Sequence, residues 1–286
     1  MKQIVVISGK GGTGKTSIVA SFAACASGRA VIADCDVDAP DLHIILNPVV
    51  RERREFFGLR RAFIDKERCT ECGACIERCR FDAINNFEVD QSACEGCGVC
   101  TLVCGSDAVR MVEHLSGYAY ISDTRYGPLV HAEMFPAEEA SGKLVTMVRE
   151  IARNLAESLR MEMVLIDGSP GIGCPVISSL AGADLALVVT EPTISGVHDL
   201  DRILDLAEHF RIRAMVCINR YDINEDISKN IERACDGRGT EMVGRIPFDM
   251  NVIDAMIRGV PVVELNTPAS YSIKQIWSRL MTSEIM

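Results

Sequence analysis

The chain has 286 residues, 48% of them hydrophobic, enough for one large α/β domain with a substantial core plus a small insert. Its formal net charge of −10 argues against a nucleic-acid binder, whose domain is ordinarily basic. No apolar run approaches the roughly 20 residues that cross a bilayer, and MKQIVVISGKGG leads straight into glycines rather than a cleavage site, so a cytoplasmic protein is expected.

In chain order, IVVIS (Ile4–Ser8) reads as a buried strand, Lys15 to about Ser27 as a helix and AVIAD (Ala30–Asp34) as a second strand. After Leu46 the pattern breaks. RERREFFGLRR (Arg51–Arg61) is basic and reads as a solvated linker or hairpin leading into a cysteine-rich segment. The chain returns to its earlier pattern between about Val112 and Pro128. Strands are then expected at Leu129–Met134, Met163–Asp167, Ala183–Thr190, Ala214–Asn219 and Glu241–Ile246. Between them lie helical stretches at Gly142–Arg160, Pro175–Ala181, His198–Phe210 and Glu225–Cys235, with two more at Met250–Arg258 and Ser270–Met281. Alternation of this kind predicts an α/β fold, a mostly parallel sheet covered by helices on both faces. The expected division is a discontinuous α/β domain at 1–46 and 127–286, an insert at 60–112, and linkers at about 47–59 and 113–126.

Gly9–Thr16 reads GKGGTGKT, a G-x-x-x-x-G-K-[ST] phosphate loop placed after a strand and before a helix, the context the motif requires. Gly9, Gly11, Gly12, Thr13 and Gly14 bring backbone N–H groups to phosphate oxygens, and the helix N-terminus with Ser17 adds its positive end. Lys15 is expected to reach the β- and γ-phosphates and Thr16 to ligate Mg²⁺.

Eight cysteines form two consecutive C-x2-C-x2-C-x3-C runs, and CTECGACIERCRFDAI is echoed by CEGCGVCTLVCGSDAV. Zinc sites ordinarily join paired C-x-x-C elements, whereas this rhythm is that of two [4Fe–4S] clusters, each run's fourth cysteine serving the other cluster. One cluster then takes Cys69, Cys72, Cys75 and Cys104, the other Cys94, Cys97, Cys100 and Cys79. Ferredoxins commonly carry proline after the fourth cysteine; Arg80 and Gly105 stand there instead. The cysteines outside the runs read mostly as buried thiols.

The form K-G-G-T-G-K-T resembles the deviant phosphate loop of the MinD/ParA/nitrogenase-iron-protein superfamily. The resemblance implies that Lys10 reaches across a dimer interface to the partner's nucleotide, acting as an arginine finger would. It places a first switch at Asp34, Asp36 and Asp38, with Asp36 orienting the attacking water and Asp34 near the metal. It makes Met163–Asp167 with Gly168-Ser169-Pro170-Gly171 a Walker B strand and second switch, Asp167 holding Mg²⁺ through water and Gly168 offering an N–H to the γ-phosphate. Asn219 and Arg220 fall where the superfamily holds the base. Asn219-Arg220-Tyr221-Asp222 also resembles the guanine-reading N-K-x-D of GTPases, yet the phosphate loop and Ile246–Asp249 resemble the ATP-using branch.

Cys174 follows Asp167 by seven residues, the offset of a cluster ligand in the nitrogenase iron protein, but that protein's second cysteine has no counterpart in Leu129–Ser141; a plain helix-start residue is the expectation. Helix Ser270–Met281 carries Ile273, Ile276, Trp277 and Leu280 on one face and few basic residues, so packing on the domain is expected rather than membrane association. His198 and Asp199 read as helix-capping residues. The whole resembles a MinD/Mrp-type P-loop ATPase with an inserted two-cluster ferredoxin domain. It implies an ATP-bound homodimer that couples hydrolysis to electron transfer with a redox or iron–sulfur partner. The alternatives are a cluster scaffold or carrier of the Mrp type, which would want a C-x-x-C pair outside the eight cysteines, and a MinD/ParA-like switch that senses redox state.

Overall fold

The computed structural model describes residues 1–136, 138 and 141–282. In chain order the elements are β1 (Lys2–Ser8), α1 (Lys15–Ala26), β2 (Ala30–Asp34), α2 (Leu42–Leu46), β3 (Val49–Phe57), β4 (Arg61–Ile64), α3 (Ala74–Arg78), β5 (Ile84–Asn85), β6 (Glu88–Val89), α4 (Val99–Leu102), β7 (Val109–Val112), β8 (Leu115–Thr124) and β9 (Gly127–Met134). There follow α5 (Ser141–Ser158), β10 (Met163–Pro170), α6 (Cys174–Leu180), β11 (Leu185–Thr190), α7 (Ile194–His209), β12 (Arg213–Asn219), α8 (Glu225–Arg238), β13 (Glu241–Ile246), α9 (Asn251–Ile257) and α10 (Pro268–Thr282).

The chain divides into two compact units, Met1–Arg53 with Ala119–Ala132 and Ser141–Met286, and Arg54–Tyr118 with Glu133–Ala140. The expected domain at 127–286 includes positions 137, 139, 140 and 283–286, which lie outside the described residues.

The first unit is built on a sheet of order β13-β12-β11-β1-β10-β2-β9-β8-β3, parallel from β13 through β9. Its central strands are apolar along their whole length because helices cover both faces. β1, β2 and β11 have almost no exposed side chain. The register sets Val6 opposite Asp167 and Asp167 opposite Asp34, so the carboxyl ends of neighbouring strands finish level. In such sheets ligands bind just beyond those ends.

Three departures from the sequence reading have local causes. The basic run, expected as a solvated linker or hairpin, lies mostly in the strand β3, and β3 and β8 fall within the stretches expected to be linkers. β3 lies at the edge of the sheet with all but Phe56 exposed, so it lacks the alternating apolar positions that betray a half-buried strand. Arg51 pairs there with Asp123 at 3.1 Å. α7 begins at Ile194 rather than His198, because the Thr193 hydroxyl accepts from Gly196 N at 3.0 Å and caps the helix, a role expected of His198 and Asp199. β10 continues through Gly168 to Pro170, past the expected end at Asp167. Gly168 packs so closely on β1 that a Cβ there would lie 2.6 Å from Ile7 Cγ2.

α10 lies on the core as its apolar face predicts: Ile273, Ile276, Trp277 and Leu280 are buried, with the Trp277 ring 5.2 Å from Phe22 of α1. Asp249 accepts from Ala269 N at 3.1 Å at the start of this helix. Replacing Trp277 by Ala is expected to destabilise the protein by about 3–5 kcal/mol, the usual cost of an aromatic cavity. The check is urea denaturation followed by circular dichroism, in which an unchanged midpoint would remove α10 from the core.

Candidate functional site: a nucleotide cleft and a paired thiol module

The loop between β1 and α1 turns on two left-handed glycines, Gly12 (φ +78°) and Gly14 (φ +87°). Alternating backbone of this kind points successive N–H groups inward, and no side chain caps α1, so the amides of its first turn stay free for an anion. Gly9 passes α7 where a Cβ would fall 2.2 Å from Asp199 Cβ. The loop borders a cleft of about 520 Å³, the size of a small-ligand site. Gly11, Lys15, Thr16 and Ser17 form one wall, Asp36 and Asp38 a second, and Pro247, Phe248, Val252, Ile253 and Met256 an apolar third.

Lys15 is buried, 3.8 Å from Asp36. Burial pushes the Asp36 carboxyl up, and Lys15 opposes that shift. Beneath them Asp34 and Asp167 are almost fully buried. Burial raises Asp34 well above the usual carboxylate range, and the neighbouring Asp167 raises it further; Asp34 accepts from Asp36 N at 3.2 Å and Leu42 N at 3.3 Å. Burial likewise raises Asp167 to about 7, opposed by Lys15 and by the nearby Thr16 hydroxyl. Neither Asp167 oxygen has a partner in hydrogen-bond geometry, and Thr13 Oγ1 is also buried without one. A buried carboxylate with both oxygens free, next to a second buried acid and a threonine hydroxyl, is a donor set suited to a hard divalent cation.

Other expected site residues are engaged within the chain. Asn219 Nδ2 donates to Thr13 O at 2.8 Å while its Oδ1 accepts from Arg220 N at 3.0 Å, so this amide braces the phosphate loop. Arg220 pairs with Glu191 at 2.6 Å. Asp222 accepts from Phe248 N at 2.7 Å. Ser17 Oγ lies 3.7 Å from Met256 Sδ. Lys10 reaches Glu191 at 3.5 Å and Thr193 Oγ1 at 3.2 Å. Gly168 is buried within β10. Sequence reasoning missed Glu191, although its place at the carboxyl end of β11 marked it. It also missed the apolar wall from α9, whose residues carry no motif.

In the second unit the two cysteine runs adopt the same backbone twice. Glu71 (φ +56°) matches Gly96 (φ +63°), Gly73 (φ +78°) matches Gly98 (φ +74°), and Asp82 matches Asp107 with φ +50° at both. Each glycine starts a short helix, α3 and α4. Cys75 is buried with Ala62, Ile64, Ile84 and Val109, and Cys69, Cys79, Cys94, Cys100 and Cys104 pack on this small core. Burial raises the Cys75 thiol, and Cys69 and Cys104 raise it further; burial raises Cys100, and Cys94 and Cys97 add to it. A small cavity is bordered by Cys79, Cys94, Cys97 and Cys100 together. All thirteen cysteines are free thiols. Among the described residues no three His, Cys, Asp or Glu side chains converge to hold a single metal ion. A [4Fe–4S] cluster asks instead for one thiolate at each of four irons; six of the eight cysteines lie in or against the apolar core, while Cys72 and Cys97 are exposed. Cys174 is exposed at the first position of α6, as expected.

The pattern of the CobQ/CobB/MinD/ParA nucleotide binding domain matches residues 4–262. The chain belongs to this family. A functionally uncharacterised protein of Methanocaldococcus jannaschii is 35% identical over 281 residues, 97% of this chain and 96% of that protein. The septum site-determining protein MinD of Bacillus subtilis is 29% identical over 177 residues, 58% of this chain and 64% of its own. Among solved structures, MinD in the Aquifex aeolicus MinC:MinD cell division complex superposes with a TM-score of 0.61 at 22% identity, covering 100% of this chain and 98% of the other. Pyrococcus horikoshii MinD with Mg-ADP gives 0.59 at 17%, covering 98% and 96%. The family's P-loop α/β fold, with its mostly parallel central sheet, is the one described above. No helix among the described residues is long and apolar enough to cross a membrane.

The carboxylate pair sets a pH dependence. Asp167 titrates higher folded than unfolded, so its contribution to stability is complete below about pH 4 and is lost as pH rises toward 7. Asp167→Asn in metal-free buffer is expected to raise the melting temperature near pH 7 and to flatten its fall between pH 4 and 7. A variant melting lower at pH 7, with the fall intact, would contradict the burial cost assigned to this carboxylate.

Proposed function

We propose that this protein binds and hydrolyses ATP as a MinD/ParA-type switch and couples turnover to electron transfer through two [4Fe–4S] clusters. The observation carrying the reading is one chain that joins a phosphate-loop cleft, backed by the unpartnered carboxylate of Asp167, to a doubled run of eight cysteines.

On this reading the amides of residues 11–16 bind phosphate oxygens, and Lys15 neutralises the β- and γ-phosphates. Thr16 and Asp167, with Asp34 behind them, would hold Mg²⁺, which when bound adds positive charge at the transferring phosphoryl group. Asp36 orients water for in-line attack on the γ-phosphorus as the bond to ADP breaks. Lys10 completes the site of a partner subunit in an ATP-bound homodimer, its charge countering that developing on the phosphoryl oxygens. Adenine is favoured over guanine because Asp222, the acid a guanine reader would use, is occupied by Phe248 N. Asn219 and Arg220 line the cleft, and on this reading the base lies beside them.

Cys69, Cys72, Cys75 and Cys104 would hold one cluster, and Cys79, Cys94, Cys97 and Cys100 the other; when bound, the clusters supply one-electron chemistry. The chain's own part is to exclude water and tune the sulfurs. Cys104 Sγ accepts from Ala108 N at 3.3 Å and lies 3.6 Å from Ser106 Oγ, whereas Phe81 stands at the matching position after Cys79. A second reading, a MinD-like switch whose clusters only report redox state, draws on the MinD relatives. A carrier of the Mrp type is disfavoured, since no C-x-x-C pair occurs outside the eight cysteines.

Anaerobic reconstitution is expected to load about eight irons per chain, and the Cys72→Ser/Cys75→Ser variant about half that. Rapid passage of labelled iron to an apo-acceptor would instead make the protein a carrier. Ser106→Ala is expected to lower one of the two reduction potentials in protein-film voltammetry and leave the other in place. Equal shifts in both, or none, would disprove the tuning. Lys10→Ala is expected to abolish ATP-dependent dimerisation in sedimentation velocity; persistent dimers would refute its action in trans.

A further inference from the structure

Glu191 directly follows β11, with its carboxylate nearly buried between two cations. Arg220 Nη1 donates to Oε1 at 2.6 Å, and Lys10 Nζ lies 3.5 Å from Oε2. Lys10 also meets Thr193 Oγ1 at 3.2 Å and Ser195 Oγ at 3.4 Å. Thr193 is fixed by its capping role at the start of α7, so the cradle is anchored. The loops after β1, β11 and β12 are thus tied at one carboxylate. Meanwhile Ser8 Oγ donates to Lys10 O at 2.6 Å and pins the backbone of the phosphate loop separately. The Lys10 side chain can therefore leave Glu191 without the loop moving.

From this geometry we infer that Glu191 is a positioning residue that holds Lys10 against its own subunit and competes with nucleotide phosphate for it. The inference rests on the reading that Lys10 acts across a dimer. Phosphate oxygens arriving from a partner subunit offer Lys10 a denser negative charge, and Arg220 stays to neutralise Glu191 when the lysine departs. The Lys10 side chain is 32% exposed, against 5% for Lys15. A contact that open shifts an equilibrium several-fold rather than by orders of magnitude, which suits a reversible hold. Lys15, enclosed in the cleft, has no such freedom. Dimerisation would therefore be held back in the nucleotide-free protein by the side chain that later promotes it.

The test compares wild type, Glu191→Gln, Arg220→Gln, Lys10→Ala and the Lys10→Ala/Glu191→Gln double variant as full-length chains. A brief pulse of an acetylating reagent on nucleotide-free protein, read by mass spectrometry, reports the reactivity of Lys10 relative to the chain's other lysines. Glu191→Gln is expected to speed Lys10 labelling roughly fivefold. Arg220→Gln is expected to slow it, since Glu191 then serves Lys10 alone. Sedimentation velocity should show Glu191→Gln dimerising at several-fold lower ATP concentration, a gain that disappears in the double variant. Unchanged or slower labelling in Glu191→Gln overturns the role of Glu191, whatever dimerisation does. A dimerisation gain that survives without Lys10 overturns it too. Faster labelling with dimerisation indifferent to Lys10→Ala refutes instead the action of Lys10 in trans.

Discussion

Two carboxylates buried side by side at the ends of adjacent parallel strands govern the architecture of the nucleotide cleft. Asp34 and Asp167 face each other in register, burial raises both carboxyls, Asp167 raises Asp34 further, and Asp167 lacks hydrogen-bond partners. Protein interiors tolerate such a pair where a cation or a ligand offsets it. The elements around the pair fit that demand: Lys15 stands above it, Thr16 beside it, and an uncapped helix opens toward it. The loop needs glycine to make this approach. Asn219 then braces the loop from β12, which explains why a Cβ at Gly14 would lie 2.5 Å from the Asn219 amide nitrogen.

The thiol module obeys a different constraint. A run of cysteines this short leaves little apolar material for a core, and only Ala62, Ile64, Ile84 and Val109 are buried with Cys75 beneath the five cysteines packed on them. Its order comes from repetition instead, with the same left-handed turns recurring at matching places in both runs. On the proposed reading, two matching halves with unequal surroundings, Ser106 against Phe81, would give two bound clusters different potentials. The proposed function joins this module to the nucleotide switch through a chain that leaves the first unit after Arg53 and returns at Ala119.

Most of the fold was legible in the sequence wherever burial is two-sided. β2, β12 and β13 begin and end within a residue of their expected limits because continuous apolar runs flanked by polar residues leave little choice. Legibility failed at the edge of the sheet, where β3 is charged along its length. It failed again at helix starts governed by one cap. The helix expected from His198 starts at Ile194, and Gly196 fits inside its first turn because a Cβ there would lie 2.3 Å from Glu191 O. In the cleft, the motifs located the phosphate loop and both acids. They were silent on which side chains occupy one another: Asn219 with Thr13, Asp222 with Phe248, and Lys10 with Glu191. Those pairings join residues far apart in sequence, and no local pattern encodes them.

The most direct measurement is an EPR-monitored potentiometric titration of the reconstituted protein with and without Mg-ATP. Coupling between nucleotide and clusters predicts two resolvable [4Fe–4S] signals, at least one with a midpoint that moves when ATP binds and stays put in the Lys15→Ala variant. Two signals whose midpoints are identical with and without ATP, or no cluster signal at all, would contradict the account.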